Sequence, residues 1–170
     1  MVSTVVLVEG RSDAAAMHAL DPSLGSRGIT VVSMDGVTNF ARFLGELAPT
    51  GVRLAGLCDV GEQRFVTRAL DRSGLSRDGF FVCDRDLEDE LLRAVGAEKV
   101  LGIFGVQGDL ERFRTFQAQP AKRDVAFEEQ LHRFLGTTAG RKEKYARLLS
   151  EALAPDDIPT PLADLLKFLT

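Results

Sequence analysis

Four clusters of charged residues in this 170-residue chain have the types and spacing to do chemistry. In TVVLVEGRSD, residues 4–13, an apolar run ends in Glu9, and Asp13 follows four places later. In CDVGE, residues 58–62, Asp59 ends another apolar run and Glu62 stands three places on. In CDRDLEDELL, residues 83–92, five of the seven positions 84–90 are acidic. Helical spacing there aligns Asp86 with Asp89 and Glu90 and sets Glu88 on another face. In AGRKEKYARLL, residues 139–149, Arg141, Lys142 and Lys144 precede an apolar stripe of Tyr145, Leu148 and Leu149. Carboxylate oxygens suit Mg2+, which takes one or two of them plus waters in an octahedron at about 2.0–2.1 Å. A lysine beside such ions would stabilise charge on a phosphoryl group in the transition state. Each cluster also has a plainer reading. A carboxylate in the first turn of a helix caps it and complements its dipole, and a basic helix face is ordinarily solvated. Recurrence of the acidic pattern favours the metal reading, because five carboxylates in seven positions are more than a helix dipole calls for.

These residues need a scaffold, and the first hundred positions supply one by alternating strand and helix signals. The runs at 4–8, 29–33, 52–58 and 79–83 are short, continuous and apolar, as in strands covered on both faces. Helical segments lie between them: DAAAMHAL, for which Ser12 and Asp13 are good capping types; NFARFLGEL, capped by Thr38; GEQRFVTRAL; and LEDELLRAVG, closed by Gly96. Such alternation predicts right-handed strand–helix–strand units and a mainly parallel, four-stranded, Rossmann-like sheet flanked by helices. Ligands of these sheets bind beyond the carboxyl ends of the strands. That rule places Glu9, Asp59 and the acidic run after Cys83 along one edge. After residue 96 the strand signals fade. AEKVLGIFGV fits strand or helix and is assigned to helix; the segments that follow carry apolar residues three and four apart. The predicted organisation is an α/β core over 1–96 and a helical portion over 97–170, packed as one domain.

Composition limits the partners. A hydrophobic fraction of 45% and a mean hydropathy of 0.00 suit one globular core. A net charge of −4 argues against coating nucleic acid by bulk charge, although a local basic surface or a bound metal reverses the sign where it matters. The charge is partitioned: residues 59–90 hold nine acidic and five basic side chains, and residues 121–150 hold seven basic against four acidic. The two cysteines, Cys58 and Cys83, read as small core residues rather than as a zinc site or a disulfide framework. No apolar run approaches the roughly 18 residues of a membrane span, and no signal peptide precedes the first strand. The expected location is the cytoplasm.

VLVEGRSD, Asp59 after its strand, and FFVCDRDLEDELLRAVG together resemble a TOPRIM domain, the acidic module of topoisomerases, primases and certain nucleases. More narrowly, DLEDEL, QGDLERFRTFQAQPA, QLHRFLG and GRKEKYARLL resemble the overcoming-lysogenization-defect (OLD) nuclease family, over roughly residues 4 to 168. The resemblance implies a TOPRIM fold and metal-dependent cleavage of DNA with two Mg2+ or Mn2+ ions. It implies metal ligation by Glu9, Asp13, Asp59, Glu62, Asp86 and Glu88, with the family's lysine matched by Lys142. On the expected mechanism Glu9 doubles as general base and Lys142 neutralises developing charge, while the basic segment with Arg141, Lys142 and Lys144 draws the nucleic-acid phosphates. Two departures stand out. The family's Asp-x-Asp is Asp59-Val60-Gly61 here, so a carboxylate is missing unless Glu62 replaces it. Full-length members also carry an ATPase domain, whereas this chain has no GxxxxGK[ST] loop and reads as a stand-alone module, so ATP control would come from another polypeptide. The expected activity is two-metal phosphodiester hydrolysis, with DNA binding that is weak and strongly salt-dependent without metal. The rivals are a catalytically degenerate module that binds nucleic acid or a partner ATPase, suggested by Gly61, and a receiver-like protein, which the helical second half does not suit.

Overall fold

The apolar runs become strands because each pairs with a neighbour in the sheet, and the two central runs are buried on both faces. The computed structural model describes residues 3–170; Met1 and Val2, the first residues of the 1–96 segment, lie outside the described residues. Strands β1 (Thr4–Val8), β2 (Ile29–Ser33), β3 (Arg53–Asp59) and β4 (Phe80–Cys83) form one parallel sheet in the order β2-β1-β3-β4. β1 sits between β2 and β3, with Thr4 opposite Ile29 on one side and Arg53 on the other, and all of its residues are buried. Its side chains alternate between two cores. Val6 and Val8 join Ala55 and Leu57 on one face; Val5 and Leu7 join Cys58 on the other.

Helices α2 (Phe40–Leu47) and α3 (Gln63–Arg72) cover the second face with Phe40, Leu44, Val66, Ala69 and Leu70. The first face is covered by α1 (Arg11–Leu20), α4 (Leu87–Val95) and the helices that follow: α5 (Ala97–Val106), α6 (Leu110–Gln117), α7 (Phe127–Leu135), α8 (Arg141–Glu151) and α9 (Thr160–Phe168). The ambiguous 97–106 segment is helical, burying Val100 and Phe104 four residues apart. Phe104 anchors the helical half, its ring centroid 5.4 Å from Phe113, 5.3 Å from Phe134 and 4.9 Å from Tyr145. One apolar cluster therefore runs from β1 to α9 without a break at residue 96.

At Gly56 in β3 the sheet admits no side chain: a Cβ there would stand 2.7 Å from the Leu7 carbonyl and 2.8 Å from the Phe80 ring. Two helix starts differ from their sequence-based expectation. Ser12 does not cap α1, which begins at Arg11 with Gly10 at the N-cap; the Asp13 carboxylate accepts the Gly10 N–H at 2.9 Å instead. Thr38 lies in a short 3-10 turn, and α2 begins only at Phe40 because that turn satisfies the backbone first.

Candidate metal centre

Parallel pairing aligns the carboxyl ends of the strands, so the residues just past them meet. Glu9 follows β1, Asp59 ends β3, and Glu62 precedes α3 after a turn closed by an Asp59 carbonyl–Glu62 N–H bond of 2.9 Å. One carboxylate oxygen from each of Glu9, Asp59 and Glu62 lies within 4.8 Å of the others. Glu9 and Asp59 line a cavity of about 390 Å³ together with Asp13, Asp86, Glu88 and Lys142, while Glu62 is not part of its lining. Asp13 arrives from the first turn of α1, Asp86 and Glu88 from the start of α4, and Lys142 from the first turn of α8, which lies along α1.

The acids raise one another. Burial, then the charges of Asp13 and Glu9, push the Asp59 carboxyl up to about 8. Burial and Glu9 take Glu62 up to about 7. Burial takes Asp13 up to about 6, with Glu88 and Glu9 adding to it and the Gly10 N–H opposing. Such repulsion is relieved by protons or by a cation competing for the same oxygens. Two buried oxygens, Glu62 Oε2 and Glu88 Oε1, have no hydrogen-bond donor among the described residues. A buried anionic oxygen is costly unless something positive satisfies it. An all-oxygen donor set with orphaned carboxylate oxygens fits a hard divalent ion. Cys58 and Cys83 stay out of it: both are buried, and burial pushes the Cys58 thiol up to about 12 and raises Cys83 as well.

The remaining acids of the 84–90 run are tied elsewhere. Glu90 accepts the Asp84 N–H at 2.8 Å and pairs with Arg93 at 3.0 Å, and Asp89 pairs with Arg93 at 2.8 Å. Asp86 is held on both oxygens: Oδ1 accepts the Asp89 N–H at 2.9 Å, and Oδ2 meets His132 Nε2 at 2.7 Å. Arg85, a donor only, reaches His132 Nδ1 at 3.3 Å, which leaves Nε2 as the protonated nitrogen facing Asp86. Burial works against ionising Asp86, but the His132 and Asp89 hydrogen bonds outweigh it and lower its pKa.

The basic residues divide. Lys142 Nζ lies 3.5 Å from Glu88 Oε2 at the cavity. Arg141 instead stacks over the Phe134 ring at 4.1 Å, donates to the Phe134 carbonyl at 3.2 Å and lies 3.7 Å from Asp109. Lys144 reaches Asp109 at 3.2 Å. Residues 141–144 are therefore not one free cationic face, because a buried Asp109, which also accepts from Tyr145 at 2.7 Å, draws two of the three cations inward.

Residues 2–60 match the family model for the overcoming lysogenization defect protein-like TOPRIM domain. The whole chain also superposes on the C-terminal region of the Burkholderia pseudomallei OLD protein, with a TM-score of 0.73, 20% identity, and coverage of 99% of this chain and 97% of that one. The chain is similar to OLD-like TOPRIM domains, in sequence over residues 2–60 and in fold over nearly its whole length. The C-terminal region of the Xanthomonas campestris pv. campestris OLD protein gives a TM-score of 0.72 at 24% identity, covering 99% of this chain and 95% of that one. No curated protein matches the sequence.

At the sheet edge Glu62 stands in the cluster beside Asp59, so a carboxylate is present although position 61 is glycine. Three participants escape the sequence motifs. Asp35 lines the cavity from the turn after β2, with a left-handed φ of 53°. The rule that singles out Glu9 and Asp59, an acid just past a strand, also picks it out of ITVVSMD. His132 and Asp109 were not picked out because the partners that fix them, Asp86 and Tyr145, are 46 and 36 residues away in sequence.

Proposed function

We propose that the chain is a metal-dependent phosphodiesterase that nicks or cleaves DNA. The observation that carries this reading is the convergence of Glu9, Asp59 and Glu62 within 4.8 Å, with Glu9 and Asp59 lining a cavity that Lys142 also lines. Glu9, Asp59 and Glu62, with Asp13 beside them, would hold one Mg2+ or Mn2+; Glu88 and the free lone pairs of Asp86 would hold a second. When bound, such ions supply Lewis-acid charge and lower the pKa of a water. The rest falls to the chain's own groups. Glu9 accepts the proton of the attacking water as its oxygen bonds to phosphorus and the bond to the leaving sugar oxygen breaks. Lys142, charged and half exposed at the cavity mouth, neutralises charge gathering on the phosphoryl oxygens. Asp13 fixes the turn that presents Glu9 by holding the Gly10 N–H. His132 fixes Asp86, and with it the first turn of α4 that carries Glu88.

Supercoiled plasmid incubated with Mg2+ or Mn2+ tests the reading. Wild-type protein is expected to nick it, and Glu9→Gln and Glu88→Gln are expected to lose that activity at least a hundredfold. Equal inertness of all three across a wide range of metal and salt would sink the nuclease and leave a module that binds nucleic acid or a partner ATPase.

A further inference from the structure

The 141–144 segment offers one cation to the site, so a polyanionic substrate needs another hold on this net-negative protein. We infer that the solvent face of α3 is the track that binds the nucleic-acid strand leading into the acidic cavity, with phosphates on Arg64, Arg68 and Arg72 and an unpaired base on Phe65. The inference rests on the nuclease reading above and adds to it where, and in what form, the substrate is held.

Helix α3 starts at the metal cluster, since its N-cap is Glu62. Val66, Ala69 and Leu70 bury its inner face. Arg64, Arg68 and Arg72 stand exposed at intervals of four, one above the other. At 1.5 Å per residue they form a stripe about 12 Å long that leads away from the cluster. Among the described residues, no carboxylate pairs with these three arginines, whereas neighbouring charges are matched. Asp71, the one other acid on the helix, is held in a two-oxygen contact by Arg77 at 2.7 and 2.6 Å. The Glu62 carboxylate is turned to Glu9 and Asp59. Phe65, beside the stripe and three residues before Arg68, is 43% exposed, and Val60, in the turn just before α3, is 49% exposed. Large apolar side chains left in water beside free arginines suit a ligand with both phosphates and flat faces. A protein partner would match the charge by acidic residues but leave the aromatic position without a reason. A single strand of nucleic acid uses both.

The test is fluorescence anisotropy of a labelled single-stranded DNA of about 16 nucleotides, the upper end of ordinary site sizes. It is run in EDTA at low ionic strength and then across a salt series, so no metal or cleavage enters. Wild type is expected to bind. The triple variant Arg64→Ala, Arg68→Ala, Arg72→Ala is expected to bind at least tenfold more weakly, with a slope of log affinity against log salt reduced by about 2, near 0.7 for each lost phosphate contact. Phe65→Ala is expected to weaken binding about tenfold and leave the slope unchanged, because stacking releases no counterions. Arg114→Ala, an exposed arginine of α6 paired with Glu111, is the control and is expected to bind as wild type does. Absence of wild-type binding overturns the track, as does a triple variant with wild-type affinity and slope, or an equal loss in the control. Binding that behaves as described in a protein that never nicks plasmid with metal leaves the track standing and removes the nuclease instead.

Discussion

The clustered carboxylates carry a pH signature of their own. Asp13, Asp59 and Glu62 ionise at about 6, 8 and 7, above ordinary values of 3.8, 3.8 and 4.5. In the metal-free protein the folded state therefore keeps protons that the unfolded chain has released between about pH 4 and 8. Stability from these groups is fully present below the ordinary values and is lost as pH rises through the folded ones. Thermal unfolding without divalent ions is expected to show a midpoint that falls from pH 5 to pH 8, and Mg2+ is expected to restore it most at pH 8. A midpoint that rises over that range would contradict the mutual repulsion. His132 makes a separate expectation. It reaches the site only through Asp86, so His132→Ala is expected to raise the Mg2+ needed for half-maximal nicking by about 10–100-fold, with the thermal midpoint much less affected. An unchanged metal requirement would reduce His132 to a packing residue. Glu9, Asp59, Glu62 and Glu88 were legible in the sequence because acids after apolar strands have few other reasons to recur. His132 was not, since a single histidine in FEEQLHRFL has no partner within its own helix.

At the scale of elements, the strands could be read from short apolar runs, and β1 and β2 coincide with the expected 4–8 and 29–33. Helix starts could not, because backbone turns before α1 and α2 competed with Ser12 and Thr38 for the capping role. Two elements decide the site geometry. β3 must lie close enough to β1 and β4 to bring Asp59 to Glu9, and Gly56 permits that approach. Gly56→Ala is expected to lower stability by about 1–3 kcal/mol in a denaturant titration, as overpacking against a fixed carbonyl does; a neutral outcome would mean that the strands can spread without cost. α8 must present Lys142, and its first turn is pinned by Asp109, whose carboxyl is held down at about 2 by Tyr145, Arg112 and Lys144 despite burial. Tyr145→Phe removes a hydrogen bond to that charge and is expected to cost about 1.5–3 kcal/mol, seen as a lower thermal midpoint. An unchanged midpoint would show that the remaining cations hold Asp109 without it. Asp109 escaped the sequence reading because an aspartate before a helix looks like an ordinary cap until the distant Tyr145 closes on it.

For the molecule as a whole, the order β2-β1-β3-β4 gathers at one sheet edge residues that are up to 133 positions apart, Glu9 and Lys142. No helix of the described residues is long and apolar enough to cross a membrane. The sequence showed which strand ends were acidic; which cations faced them depended on how the helical half folded back, and that is set by long-range packing such as α8 along α1. The measurement that reaches the central claim most directly is a calorimetric titration of Mn2+ into wild-type protein and into Glu9→Gln at pH 8, repeated in buffers of different ionisation heat. The expected result is binding by the wild type with release of protons from the Asp59 and Glu62 carboxyls, and binding by Glu9→Gln about 10–100-fold weaker or lost. Wild-type protein that takes up no Mn2+, or takes it up with the same affinity and proton release as Glu9→Gln, would contradict a metal centre at this sheet edge.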